Sequence, residues 1–310
     1  MRKPKILVSK CLDFEKCRYD GQAYKNKLVQ SLKEHADLIM VCPEVEIGLE
    51  TPRDPIKIIF DKKTENYKLI QHNTNNDYTE DMRGFSKKYL SEIDDIDGFI
   101  LKGKSPSCGL KDVKIYHEGN KCAIRKNANG MFCDEVVNTF TNCPIETDGR
   151  LTNYSNRDNF LTKIFLINEL KSSNDILEFN KKNELLLKSY DKDKFNDLEI
   201  LLKSDINEQV ISKYRDCIYD ILSNKRNRDS KLEIIQNVFD KYKNKLTKEE
   251  IDMFNETVDS FNNNKIPFSS LTLATKIFAT RFKDSDTLSQ SFFNPYPENL
   301  ISISDSGKEI

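Results

Sequence analysis

The sequence predicts an α/β N-terminal domain with a parallel sheet, followed by an all-α C-terminal domain. Two observations predict this order. From Lys5 to about Asp148 short apolar runs alternate with amphipathic stretches, and after about Asn159 the apolar residues recur only at helical spacing.

The elements follow from local pattern. Lys5-Ile6-Leu7-Val8-Ser9 reads as a strand, Ala23 to His35 as a helix, Asp37-Leu38-Ile39-Met40-Val41 as a second strand, Thr79 to Ile93 as a second helix and Gly98-Phe99-Ile100-Leu101-Lys102 as a third strand. Strands that alternate with helices imply a parallel sheet covered on both faces, a Rossmann-like layering. Downstream, Val210, Ile211, Tyr214, Cys217, Ile218 and Ile221 share one helical face, as do Leu232, Ile235, Val238, Phe239 and Tyr242. Thr247-Lys248-Glu249-Glu250 is a capping-box signature for a further helix. The domains are placed at 1–160 and 161–310, with a polar seam at Lys171-Ser172-Ser173-Asn174.

Composition excludes several classes. Lys+Arg total 49 against Asp+Glu 50, a formal net charge of -1, so the chain is neither a strongly basic nucleic-acid coat nor an acidic tail. No stretch reaches the roughly 20 apolar residues of a membrane span, and Met1-Arg2-Lys3-Pro4-Lys5-Ile6 enters a strand without a signal-peptide core. The expected location is cytoplasmic. There, clustered cysteines point to metal binding or catalysis before disulfides.

Seven of the eight cysteines precede residue 150, and three of them follow strands. Cys11 follows the first, Cys42 the second in Val41-Cys42-Pro43-Glu44-Val45-Glu46, and Cys108 the third in Lys104-Ser105-Pro106-Ser107-Cys108-Gly109. The carboxyl ends of parallel strands converge on one crevice, so these thiols are expected to meet. Burial as packing thiols is the competing reading. No paired C-x2-C knuckle supports structural zinc, whereas an iron-sulfur cluster tolerates scattered ligands, and three thiolates on a 4Fe-4S cluster leave one iron open as a Lewis acid. Gly98 to Ser105 satisfies the phosphate-loop pattern G-x-x-x-x-G-K-[ST], but Phe99-Ile100-Leu101 is strand-like where a loop is required. His35, His72 and His117 have no metal-ligand spacing.

Val8-Ser9-Lys10-Cys11-Leu12, Cys17-Arg18-Tyr19-Asp20-Gly21, Val41 to Leu49, Pro52-Arg53-Asp54-Pro55, Lys104 to Gly109 and Asp148-Gly149-Arg150-Leu151 together resemble the thiouracil desulfidase (TudS) family. Asp13-Phe14 stand where that family often has Leu-Gly. Asn180 to Leu187, the 223–239 segment and Phe293 to Leu300 resemble the helical YbgA-like domain often fused to it. Such fusions are similar to RudS-type desulfidases, which turn 4-thiouridine in tRNA into uridine.

The resemblance implies that Cys11, Cys42 and Cys108 hold a 4Fe-4S cluster whose open iron captures the thiocarbonyl sulfur. Water then adds to carbon and sulfide is released with no net redox change. Glu46 is the expected acid/base, with Glu44 as its competitor, and Ser105 is expected to hydrogen-bond the pyrimidine or the developing charge. Cys17, six residues from Cys11, is able to approach the cluster and is expected as a neighbour or a redox-sensitive thiol before a ligand. Arg18 and Asp20 either stabilise their loop or meet substrate. Lys225, Arg226 and Arg228, in the basic run 225–231, are the candidate RNA contacts of the helical domain. The alternatives are a desulfidase of free thiouracil or thiouridine, and a non-catalytic iron-sulfur module.

Overall fold

The computed structural model describes residues 2–119, 122–302 and 304. In the first unit the elements run β1 (Lys5–Ser9), α1 (Lys27–Leu32), β2 (Asp37–Val41), α2 (Pro43–Glu46), β3 (Ile56–Asp61), β4 (Asn66–Gln71), α3 (Thr79–Ser91), β5 (Gly98–Leu101), β6 (Val113–His117), β7 (Ala123–Ala128), α4 (Met131–Thr139), β8 (Ile145–Thr147) and α5 (Tyr154–Ser172). The main sheet has the order β2-β1-β5-β8 and is parallel throughout, with Ile6 opposite both Leu38 and Gly98. Ile6, Leu7, Val8, Phe99, Ile100 and Leu101 are all fully buried. That is why these strands read as continuous apolar runs: a parallel sheet is covered on both faces.

Leu7, Phe99 and Leu101 share a core with Met82 and Leu90 of α3 and Phe132 and Val136 of α4. On β5, a Cβ at Gly98 would stand 2.7 Å from Ile164 Cγ2 of α5, so the helix packs directly on the strand backbone. A second sheet, of order β4-β3-β6-β7, is not foreseen in the sequence. It is mixed, with β3 parallel to β6 and antiparallel to β4. Ile56, Ile58, Val113 and Ile115 join it to the same core.

Several expected boundaries move by a few residues. The first helix begins only at Lys27, because the Asn26 side chain accepts from Val29 N and caps it there. The expected seam at 171–174 covers the end of α5 and the approach to α6 (Ile176–Tyr190), which Asp175 caps by accepting from Leu177 N and Glu178 N.

The second unit is wholly helical: α6, α7 (Lys192–Leu201), α8 (Glu208–Ser223), α9 (Arg228–Asp240), α10 (Lys248–Asn262), α11 (Phe268–Arg281) and α12 (Ser285–Leu288). The capping box at Thr247 and Glu250 is formed in full. Its core holds Tyr214, Ile218, Ile235 and Phe239, with Phe239 and Phe254 stacked at a centroid distance of 3.8 Å. The compact units comprise the described parts of Met1–Asn168 with Pro297–Ile310, and of Glu169–Tyr296. The late segment is tied to the first unit where the buried Arg157 donates to the carbonyls of Ser302 and Ser304 at 2.6 and 2.7 Å. No helix among the described residues is long and apolar enough to cross a membrane.

Candidate functional site

β2, β1 and β5 lie side by side, and their carboxyl ends release the chain toward one cavity of about 770 Å³. Cys11, Cys42 and Cys108 all line it, as does Cys17. Backbone bonds fix the first two loops: Lys10 N donates to Val41 O at 2.8 Å, Leu12 N to Ser9 O at 2.8 Å and Tyr24 N to Cys11 O at 2.8 Å. The four thiols are buried, and the Cys17 thiol lies within hydrogen-bonding reach of both Cys11 and Cys42. Its contact with Cys11, together with burial, pushes Cys17 up to about 11. The Cys17 contact and burial raise Cys42, and burial pushes Cys108 up to about 12. Cys122, Cys133, Cys143 and Cys217 do not line the cavity. Among the described residues no group of three or more His, Cys, Asp or Glu is arranged for a single metal ion.

The loop after β5 is held from both sides. Asp148 accepts from Lys102 Nζ at 2.6 Å and from Gly103 N at 2.8 Å, and Asp112 accepts from Lys104 N at 3.0 Å. At its far end, the entry to α4 donates to the loop: Gly130 N to Gly109 O at 2.8 Å, Met131 N to Pro106 O at 3.0 Å and Cys133 N to Ser107 O at 3.0 Å. Amides that a helix start leaves unpaired thus shape the segment carrying Ser105 and Cys108. The approach is so close that a Cβ at Gly130 would fall 2.4 Å from Ser107 C and 2.8 Å from Cys108 N, both backbone atoms. Gly130→Ala is therefore expected to displace the loop and lower the thermal midpoint by about 2–4 °C for each kcal/mol of strain. A midpoint equal to wild type by calorimetry counts against this account.

Glu44 faces the cavity from α2. Its Oε2 accepts from Arg53 Nη2 at 2.6 Å and Nε at 3.1 Å, and its Oε1 accepts from Ser107 Oγ at 2.5 Å and Ser105 Oγ at 3.3 Å. The two hydroxyls are 2.9 Å apart. Arg53 is 4% exposed and Glu44 13%, so this is a buried ion pair with polar partners on every side. Glu46 is exposed and does not line the cavity. Two positions along a helix turn by about 200°, so α2 aims Glu44 inward and Glu46 outward.

Comparison with known proteins bears on this cavity. Residues 6–148 match the model of the 2-thiouracil desulfurase family, and residues 184–297 match a family described as a protein of unknown function, DUF1722. Over 138 residues the chain is 37% identical to the uncharacterized protein YbbK of Bacillus subtilis (strain 168), spanning 40% of this chain and 90% of that protein. The chain belongs to the 2-thiouracil desulfurase family. A solved 4Fe-4S-dependent thiouracil desulfidase, TudS, aligns with 24% identity and a TM-score of 0.39 over 48% of this chain and 93% of that one.

The desulfurase region contains the four cavity thiols, Glu44, Ser105 and Asp148. Sequence reasoning gives no task to three residues that shape this cavity or its loop: Arg53, Ser107 and Gly130. Arg53 and Ser107 lie within recognisable motifs, but only their shared contact with Glu44 gives them a task. Four further lysines, Lys57, Lys104, Lys114 and Lys126, line the cavity and make no ion pair among the described residues. Arg18 is paired with Asp20 at 3.0 Å. In the helical unit Lys225 is exposed, Arg226 sits over the Tyr190 ring at 5.2 Å, and Arg228 donates to Asn264 Oδ1 at 2.5 Å and to Phe261 O. The basic run is thus partly engaged in holding its own unit together.

Proposed function

We propose that this chain is an iron-sulfur-dependent, non-redox desulfidase that converts 4-thiouridine in tRNA, or a related thiouracil, to uridine with release of sulfide. The observation that carries the reading is the meeting of three strand-end thiols and the Glu44-Ser105-Ser107 group on one cavity. Soft thiol donors with no competing imidazole suit iron-sulfur ligation. Cys11, Cys42 and Cys108 would hold a 4Fe-4S cluster, which would supply a Lewis acid able to polarise a thiocarbonyl.

The protein's own groups handle the proton and the water. Glu44 Oε1 takes a proton from the attacking water, directly or through Ser105 Oγ, while Arg53 holds Oε2 and keeps the carboxylate aimed. Water oxygen bonds to carbon, the C–S bond breaks, and sulfur departs with both protons of the water as hydrogen sulfide. The thiocarbonyl becomes a carbonyl, and no electron is gained or lost. Cys17 stands beside the ligand thiols as a neighbour.

The four lysines that line the cavity without an ion pair among the described residues favour a phosphate-bearing substrate over a free base, because free thiouracil offers them no charge. Joint replacement of Lys57, Lys114 and Lys126 by Gln is expected to weaken thiolated tRNA binding and flatten its salt dependence by about one unit per lost phosphate contact. Turnover of free 4-thiouracil is expected to survive. Lys225, Arg226 and Arg228 are a second proposed contact, tested by the same salt titration on the Lys225→Ala protein, since Arg228 also serves the fold. The deciding experiment is anaerobic iron and sulfide content together with turnover on thiolated tRNA and on free thiouracil. A loaded protein that desulfurates neither substrate refutes catalysis and leaves the non-catalytic module.

A further inference from the structure

We infer that Tyr19 is the stacking platform for the pyrimidine ring in this cavity and selects planar bases; the inference rests on the desulfidase reading above. Tyr19 lines the cavity with Cys11, Cys42 and Glu44 and is 46% exposed, so its ring is open to an incoming ligand. It is also held in place before any ligand arrives. Gly21 N donates to Arg18 O at 2.9 Å and Arg18 N to Gln22 O at 3.3 Å, closing a tight turn in which Gly21 takes φ 71°. The Arg18 guanidinium stands over the Tyr19 ring at 5.7 Å and is itself fixed by Asp20 through bonds of 3.1 and 3.0 Å.

Arg53 ties this ring to the chemistry. Its backbone N donates to Tyr19 O at 2.8 Å, its Nη1 donates to Cys17 O at 3.1 Å, and its remaining nitrogens grip Glu44. One residue therefore anchors the backbone that carries the exposed ring, the thiol loop and the carboxylate together. A thiocarbonyl lies in the plane of its pyrimidine, so a platform that fixes the plane also fixes the direction of the C=S bond and of water's approach. Stacking on tyrosine is indifferent to the substituents around a base but requires a flat π-face. The ligand class selected is an unsaturated pyrimidine, whether base, nucleoside or nucleotide, over its saturated 5,6-dihydro counterpart.

The test measures binding of uridine and of 5,6-dihydrouridine to anaerobic, cluster-loaded protein by titration calorimetry. Wild type is expected to prefer uridine. Tyr19→Ala is expected to weaken uridine binding about 5- to 150-fold and to erase the preference, with a parallel rise in KM for 4-thiouridine. Tyr19→Phe, which keeps the ring, restores most of both. Equal iron content and visible absorption in the three proteins show that the thiol loop is intact. Uridine affinity and preference unchanged in Tyr19→Ala, or no preference in a wild type that turns over 4-thiouridine, overturns the platform alone. A loaded wild type that neither binds uridine nor desulfurates 4-thiouridine overturns the desulfidase reading and the platform with it.

Discussion

Replacing Glu44 by Gln is expected to cut turnover by about 10²- to 10⁴-fold while the protein keeps its iron. Gln preserves shape, and its amide can face the serine oxygens while its carbonyl accepts from Arg53, but it takes up no proton. The substitution also leaves the guanidinium of Arg53, 4% exposed, without a countercharge. Breaking a buried pair costs up to about 3–5 kcal/mol, less here because Arg53 still donates to Cys17 O, Glu50 O and Thr51 Oγ1. Rates must therefore be compared at a temperature where circular dichroism finds both proteins folded. Glu46→Gln, changed outside the cavity, is the matched control and is expected to keep most of the wild-type rate. Fast sulfide release by a loaded Glu44→Gln protein, or equal slowing by Glu46→Gln, removes Glu44 from its role.

Loss of any one of Cys11, Cys42 or Cys108 to Ala is expected to abolish an iron content of about four per chain, together with the broad visible absorption of a thiolate-bound cluster. Cys217→Ala, in the helical unit, is expected to change neither. Cys17→Ala is the informative neighbour. Its thiol is as deeply buried as the other three and touches two of them, yet three ligands suffice to leave an iron open to substrate. If Cys17→Ala also loses its iron, four thiols hold the metal and no coordination position remains for sulfur, which defeats the desulfidase reading. If a Cys11, Cys42 or Cys108 variant keeps a full complement of iron, the ligand assignment fails.

How much of this is legible depends on whether a feature is written locally. The parallel sheet announces itself because Ile6 to Val8 and Phe99 to Leu101 are buried on both faces, and Cys11 and Cys108 stand out because each follows such a strand, while Cys42 follows the half-exposed strand β2. The capping box at Thr247 is a four-residue signal and reads directly. The second sheet escapes for the opposite reason. β7, Ala123-Ile124-Arg125-Lys126-Asn127-Ala128, is exposed over four consecutive positions and carries no alternation to detect. The choice between Glu44 and Glu46 turns on a single helical turn, too short to leave a period in the sequence. Gly130 gives no sign at all, since its constraint comes from Ser107 and Cys108, backbone neighbours only after folding.

The clamping of the Cys108 loop has a consequence for biosynthesis. All the proposed ligand thiols lie within the first 108 residues, but the loop that presents the last of them takes its shape from the amides of Gly130, Met131 and Cys133 and from the carboxylate of Asp148. Forty residues separate Cys108 from Asp148, and at about 5–20 residues per second a ribosome needs about 2–8 s to make them. For that interval the nascent chain lacks the carboxylate that holds Lys102 and Gly103, and more time passes before Asp148 clears the exit tunnel. Under the proposed ligand assignment, a truncated translation product ending before α4 lacks the amides that shape the Cys108 loop and is expected to hold no iron.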